Sequence, residues 1–266
     1  MPGAETPTTY GFIGLELMGL PMCKNIASKI TPTERIRIFD LNHVAMDQLY
    51  KEFPSKSQII ITMLPEGRHV ESVYISGPNA LSTVSRDGTL LIDCSTIDTA
   101  TSLAIKDHLS AHFPRASFYD AAVSGGVIGA QIIPCGGPSL GLTAKLCNNY
   151  LSGILIIANS ETFKIGMRAG LSPKKLYRVL GAGSAQNTIC DNPSSHGYTG
   201  GFRMALMLKD FTLATQMAER VLGGKGLEMY SLLSGEAEYK DLDVRAMFKF
   251  IGGLEDWEQH GEGKGH

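Results

Sequence analysis

The sequence predicts an α/β chain in which a doubly wound parallel sheet is followed by an all-α C-terminal domain built on one long helix. Three observations carry that expectation. Short β-rich runs alternate with helical patterns through the first half, a glycine-rich turn joins the first run to the first helix, and from about Leu140 the β-rich runs stop. Alternation of this kind builds βαβ units, whose strands must lie parallel.

The runs are Tyr10 to Leu15, Arg35 to Asp40, Gln58 to Leu64, Thr89 to Asp93 and Ser117 to Asp120. Gln58 to Leu64, QIIITML, is almost continuously apolar and is expected at the centre of the sheet, covered on both faces. Beyond Leu140 come some thirty residues without proline, LGLTAKLCNNYLSGILIIANSETFKIGMRAGL. As one helix they would span about 45 Å, and their all-round apolar middle predicts burial in a helical domain or a subunit interface. A second helix should start at Ser172-Pro173, a cap with proline at the first helical position. A third should run from about Phe202 to Leu222, closed by Gly223-Gly224. The expected division falls near Gly137 to Gly141, giving domains 1–138 and 139–266.

Composition narrows the function. The chain has 266 residues, 43% hydrophobic and 19% charged, with a formal net charge of -2, and its scattered basic residues form no stripe for a phosphate backbone, so nucleic acid is not an expected partner. The longest apolar stretch, Leu151 to Ala158, is short of the roughly 20 residues a bilayer requires, so no membrane association is expected. Cys23, Cys94, Cys135, Cys147 and Cys190 are widely spaced, without a C-x-x-C pair or a neighbouring histidine at ligand spacing, and are read as reduced thiols with no metal site. The opening MPGAETPTT shows neither a transit nor a secretory pattern, which makes the cytoplasm the default expectation.

The segment YGFIGLELMGLPM sets Gly11, Gly14 and Gly19 between a strand and a helix, with Asp40 closing the second strand 21 residues after Gly19. In that context the glycines form the phosphate-binding turn of a Rossmann-type dinucleotide site, and the carboxylate is placed for a ribose diol. Asp40 also favours NAD over NADP, because a 2′-phosphate there would meet like charge. Plain turns and a capping aspartate are the competing reading. One position departs from the fingerprint: Glu16 stands where a glycine normally lets the backbone approach pyrophosphate. Two unit charges about 5 Å apart repel by roughly 3 kcal/mol at an effective dielectric near 20.

GFIGLELMGLPM also resembles the opening of the β-hydroxyacid dehydrogenases, and five further blocks follow in that family's order: IITMLP, LLIDCSTID, DAAVSGGVIGA, GLTAKLCNN and GGFRMALMLKD. The resemblance is nearest to the 3-hydroxyisobutyrate dehydrogenase branch. It implies NAD-dependent oxidation of 3-hydroxyisobutyrate or a close β-hydroxyacid to the semialdehyde, as in valine degradation, by a homodimer or homotetramer. It implies a mitochondrial location if the family's location holds. By position it implies that Gly14, Met18, Gly19, Asp40, Leu64, Pro65, Thr96 and Lys209 contact the cofactor. His69 falls where mitochondrial members have a cofactor-touching asparagine. Ser124, Gly125 and Gly126 match the substrate-carboxylate loop, Lys145 the catalytic lysine and Asn149 a substrate ligand.

The residues themselves support part of this. A serine hydroxyl and two successive glycine amides in VSGG form an anion-binding concavity. Lys145 and Asn149, four apart on the long helix, share a face, with Gly141 one turn earlier leaving room for a ligand. A desolvated lysine there can hold a substrate hydroxyl and accept its proton, although an ordinary helical lysine is simply solvated. Lys209-Asp210 reads either as part of this site or as an adjacent ion pair.

Three stretches are short. Only 17 residues separate Asp40 from Gln58, enough for one helix, His43 to Tyr50, where a full Rossmann half adds a strand and a second helix. IGAQIIPCGG and the segment from Gln186 to Gly200 are also compressed against the family. These losses and Glu16 keep open a second reading, a non-catalytic or degenerate NAD-binding or oligomerisation protein of the same fold. 6-phosphogluconate dehydrogenase shares the lysine and asparagine, but the phosphate clamp it needs is not found in the sequence.

Overall fold

A computed structural model describes residues 8–16, 18–41, 57–78, 80–84, 88–123, 133–187 and 204–222. The chain divides into two compact units, Met1–Leu213 and Ala214–His266. The whole sheet belongs to the first.

Five strands form that sheet: β1 (Thr9–Ile13), β2 (Arg35–Phe39), β3 (Ile59–Thr62), β4 (Leu90–Asp93) and β5 (Ser117–Asp120). Their order is β2-β1-β3-β4-β5, and every pair is parallel. All five fall on the expected runs, and β3 is central as its apolar sequence requires. Beyond β2 no further strand is present among the described residues, in keeping with the short interval after Asp40. The expected helix His43 to Tyr50 lies outside the described residues.

The helices between the strands are α1 (Gly19–Ala27), α2 (Gly67–Glu71) continuing as a π-helical turn at Ser72–Ser76, α3 (Leu81–Val84) and α4 (Thr99–His112). They cover the sheet with apolar side chains. Phe12, Leu15, Cys23 and Ile38 form a buried cluster on which Leu20, Met22 and Ile26 of α1 pack. Burying Phe12, Leu15 and Ile38 supplies about 1.5–3 kcal/mol each, and the partly buried side chains of α1 add to it. Asp98 fixes the start of α4, accepting from Thr101 N at 2.9 Å and Thr101 Oγ1 at 2.6 Å. Cys23 and Cys94 are buried thiols, pushed up to about 11 and about 12 by desolvation. They act as apolar packing, not as nucleophiles.

The helical part contains α5 (Leu140–Arg168), α6 (Pro173–Ala182) and α7 (Met204–Leu222). Ser172 caps α6 through Lys175 N, with Pro173 in the first turn, as its sequence predicts. The long helix is continuous over 29 residues. Much of its middle is exposed on the single chain, Leu151 and Ile157 being 58% and 55% exposed, so of the two expected covers, a helical domain or a subunit interface, the chain itself does not supply the first. One expectation about it needs correction: its apolar content is not too short to matter, because the whole helix is long and apolar enough to cross a membrane by length and composition alone. The eight-residue window Leu151 to Ala158 understates it by leaving out the apolar residues on either side. Lys145, Asn149 and Asn159 on the same helix are turned onto protein partners.

Candidate active site

The turn after β1 is held from two sides. Gly14 N donates to Phe39 O at 2.9 Å, and Leu15 N donates to Asp40 Oδ2 in a buried bond. Gly14 has φ +95°, and a Cβ there would run into the Met63 carbonyl; one on Gly19 would run into the Gly14 carbonyl. Turn and helix therefore meet at a distance only glycine permits. Met18 precedes α1 without a side-chain cap; Leu20 N is already taken by Glu16 O at 3.1 Å and Pro21 has no N–H, so what the turn offers an anion is chiefly the positive dipole end of the helix. That cradle fits a dinucleotide pyrophosphate. Glu16 is exposed beside it, and Asp40, 8% exposed, braces the turn as well as standing at the strand end where a ribose would sit.

The second half of the site forms where the loops after β3 and β4 meet α5 and α7. Asp120, at the end of β5, starts α5: its two carboxylate oxygens accept from Ser139 N and Leu142 N, each at 2.7 Å. Gly141 is pressed against this same carboxylate, a Cβ there lying 3.0 Å from Asp120 O and Oδ2. Its small size accommodates Asp120, not a ligand, contrary to what the sequence suggests. One turn further on, Lys145 Nζ donates to Thr96 Oγ1. Burial lowers the Lys145 pKa, the Asp210 carboxylate opposes that shift, and the Lys209 cation adds to it.

Asn149 is buried and donates through Nδ2 to Asp210 Oδ2 at 2.8 Å. Asp210 in turn faces Lys209 Nζ at 3.2 Å from its other oxygen, Oδ1, a charge contact whose angle falls short of a hydrogen bond. Lys209 Nζ also donates to Thr96 O at 3.0 Å and Pro65 O at 3.2 Å. The result is a ring: Lys145, Thr96, Lys209, Asp210, Asn149 and back along one turn of α5.

Of the residues singled out in the sequence, Leu64, Pro65, Thr96, Lys145, Asn149 and Lys209 thus converge. The Lys209-Asp210 ion pair is present, and the same ammonium reaches the Thr96 carbonyl beside Lys145. Gly14, Met18, Gly19 and Asp40 gather at the turn, where Leu64 lies close to Gly14. His69 sits on α2 with its buried Nδ1 lacking a hydrogen-bond partner. Ser124, Gly125 and Gly126 lie outside the described residues. Sequence reading misses Asp210 as an orienting group and Asp120 as the anchor of α5; a lone aspartate closing a strand ahead of a glycine-rich loop is the available signal for the second. Among the described residues no cluster of histidine, cysteine and carboxylate side chains is arranged for a metal.

Comparison with known proteins agrees with this geometry. The profile for the NAD binding domain of 6-phosphogluconate dehydrogenase matches residues 9–139, and that described as NAD-binding of NADP-dependent 3-hydroxyisobutyrate dehydrogenase matches residues 140–251. The 3-hydroxyisobutyrate dehydrogenase of Pseudomonas aeruginosa is 31% identical over 92% of this chain and 99% of its own length. The chain belongs to the β-hydroxyacid dehydrogenase family. An NAD-dependent L-serine dehydrogenase from the same bacterium is 30% identical over 89% of this chain and 96% of its own. A structure of the Mycobacterium tuberculosis 3-hydroxyisobutyrate dehydrogenase with L-serine superposes with a TM-score of 0.72 at 25% identity, covering 93% of this chain and all of the other. The family's cofactor is a nicotinamide dinucleotide. The alignment with the first relative runs over 301 positions, longer than the chain, so it closes only with gaps here. That agrees with the short interval between β2 and β3.

Proposed function

We propose that this β-hydroxyacid dehydrogenase oxidises 3-hydroxyisobutyrate, or a near relative among small β-hydroxyacids, to its semialdehyde with NAD. The observation that carries the reading is Lys145, desolvated and seated on the Thr96 hydroxyl, one turn from Asn149. Residues 1–138 would hold the cofactor and 139–266 the lysine and the assembly surface. When bound, the nicotinamide accepts a hydride from the carbon that bears the hydroxyl. Lys145 takes the hydroxyl proton as that hydride leaves, a role its lowered pKa favours. Asn149, oriented by Asp210, offers an amide to the same substrate, and the Ser124-Gly125-Gly126 loop is assigned to the carboxylate.

L-serine differs from 3-hydroxyisobutyrate in carrying an ammonium where the other has a methyl, so the two are the discriminating substrates. Purified protein with NAD or NADP and a panel of 3-hydroxyisobutyrate, L-serine and 3-hydroxypropionate should give growth of reduced-nicotinamide absorbance, greatest with NAD and 3-hydroxyisobutyrate. Folded protein that is silent across the panel sinks the reading. Glu16 at the pyrophosphate turn favours the second reading, a binding or oligomerisation protein. Calorimetric titration with NAD beside the turnover panel separates the two, the second predicting folded protein that turns over no hydroxyacid, with heat from NAD if it retains a binding role and none if it serves oligomerisation alone.

A further inference from the structure

Behind the lysine ring lies a dry polar network. Asp93 and Ser95 are each 2% exposed. Asp93 Oδ1 accepts from Thr62 Oγ1 at 2.7 Å, from Ser95 Oγ at 2.6 Å and from Ser95 N at 3.2 Å. Since the Thr62 proton goes to Asp93, the Tyr74 hydroxyl, 2.9 Å away, donates to Thr62. The Ser95 proton is also spent on Asp93, so its oxygen is left to accept, and it does so from Leu64 N at 2.9 Å.

One hydroxyl therefore ties the loop after β3 to the loop after β4. Its neighbours in the chain are the acceptors of the ring: Pro65 follows Leu64, and Thr96 follows Ser95. Through these two residues pass three bonds, from Lys145 to Thr96 Oγ1 and from Lys209 to Thr96 O and Pro65 O. Thr62 bonds the same carboxylate oxygen, but its own chain neighbours, Ile61 and Met63, take no part in the ring.

We propose that Ser95 is a positioning residue of this site, registering the β3 and β4 loops so that Thr96 seats the Lys145 ammonium. The role it serves rests on the proposed dehydrogenase activity, but the placement of Lys145 does not. Removing the hydroxyl strips the half-buried Leu64 amide of its acceptor and the buried Asp93 of a donor, and both loops must shift to recover partners. Shifts near 1 Å at a reacting group cost on the order of 100-fold in rate.

The experiment compares Ser95→Ala with Thr62→Val, each removing one hydroxyl from the same carboxylate. Lys145 is labelled with an amine-acylating reagent across a pH series and read by peptide mass, beside melting temperature and turnover. Both variants should melt lower. Only Ser95→Ala should acylate Lys145 at least about threefold faster with a displaced pH midpoint, and lower kcat at least about tenfold. If Ser95→Ala does not fold, Ser95→Cys, which fills the space with a weaker hydrogen-bonding group, is expected to move the same readouts less far. Labelling that matches wild type in the serine variants, or that changes equally in Thr62→Val, overturns the inference. A wild type that turns over no hydroxyacid removes the dehydrogenase reading, while the labelling contrast still decides the placement of Lys145.

Discussion

The two ends of the candidate site are built on different principles. At the glycine turn, recognition rests on backbone: an uncapped helix start and glycines packed too closely for any side chain. At the lysine ring it rests on side chains from three elements that satisfy one another. The backbone end tolerates an exposed carboxylate such as Glu16 without losing its shape, because the shape is set by glycines and main-chain bonds. The ring has no such slack, since each member holds the next. Damage at the turn should therefore appear as altered cofactor affinity, and damage at the ring as lost turnover.

The sharpest way to break this contrast is Lys145. Lys145→Ala should lower kcat by about 100-fold or more with NAD affinity nearly intact. Lys145→Arg should fail almost as badly, because a guanidinium stays protonated and its planar fork suits two-point contacts, not a single hydroxyl. With its pKa lowered, wild-type Lys145 becomes neutral as pH rises through the shifted value, so kcat/KM for oxidation should climb there, and the alanine variant should lose that limb. The sign for stability follows the same shift. The unfolded chain holds this proton to higher pH than the folded one, so the cost of burying the ammonium is felt at low pH and relieved as pH rises through the folded value. A Lys145→Ala enzyme that keeps full turnover shows the lysine to be structural.

Next comes Asp120, which joins sheet to ring. Asp120→Ala removes two acceptors from the start of α5 and should destabilise the protein by about 2 kcal/mol, read by denaturant melts, with kcat falling and NAD affinity preserved. At the turn, Asp40→Ala should weaken NAD by about 1–2 kcal/mol and NADP by less, since only the diol of NAD uses the carboxylate. Equal losses in parallel titrations would assign Asp40 to bracing Leu15 alone. The smallest effect belongs to Glu16. Glu16→Gly should tighten NAD by about 1 kcal/mol at low salt, and the gain should shrink at high salt, as for any exposed like-charge contact. Unchanged affinity at both salt concentrations places the side chain away from the pyrophosphate.

What the sequence makes legible, and what it hides, divides along similar lines. The bounds of β5, Ser117 and Asp120, are those of its β-rich run, and the glycine turn is readable because its signal is local. Lys145 and Asn149 are readable as a pair because four residues is one helical turn. Asp93, Ser95 and Asp120 are not recognisable as functional, because their partners are defined by register. Thr62 lies opposite Asp93, and Asp93 opposite Asp120, across neighbouring parallel strands. Nothing in the spacing of 62, 93 and 120 along the chain reveals that they form a row. The exposed middle of α5 shows a related point: an all-round apolar helix must be covered by something, and the pattern alone does not choose between the same chain and a second copy.

The anchoring of α5 by Asp120 turns that helix into a lever with its pivot beside the chemistry. Over 29 residues it extends about 44 Å, so a tilt of about 2° about the Asp120 contacts carries the far end through roughly 1.5 Å. Lys145, only five residues from the start, would move by about 0.3 Å on the same rise per residue. Strain at the distal half, where Gly166 packs on Leu176 and Asn159 bonds Asn187, would therefore reach the lysine reduced about fivefold.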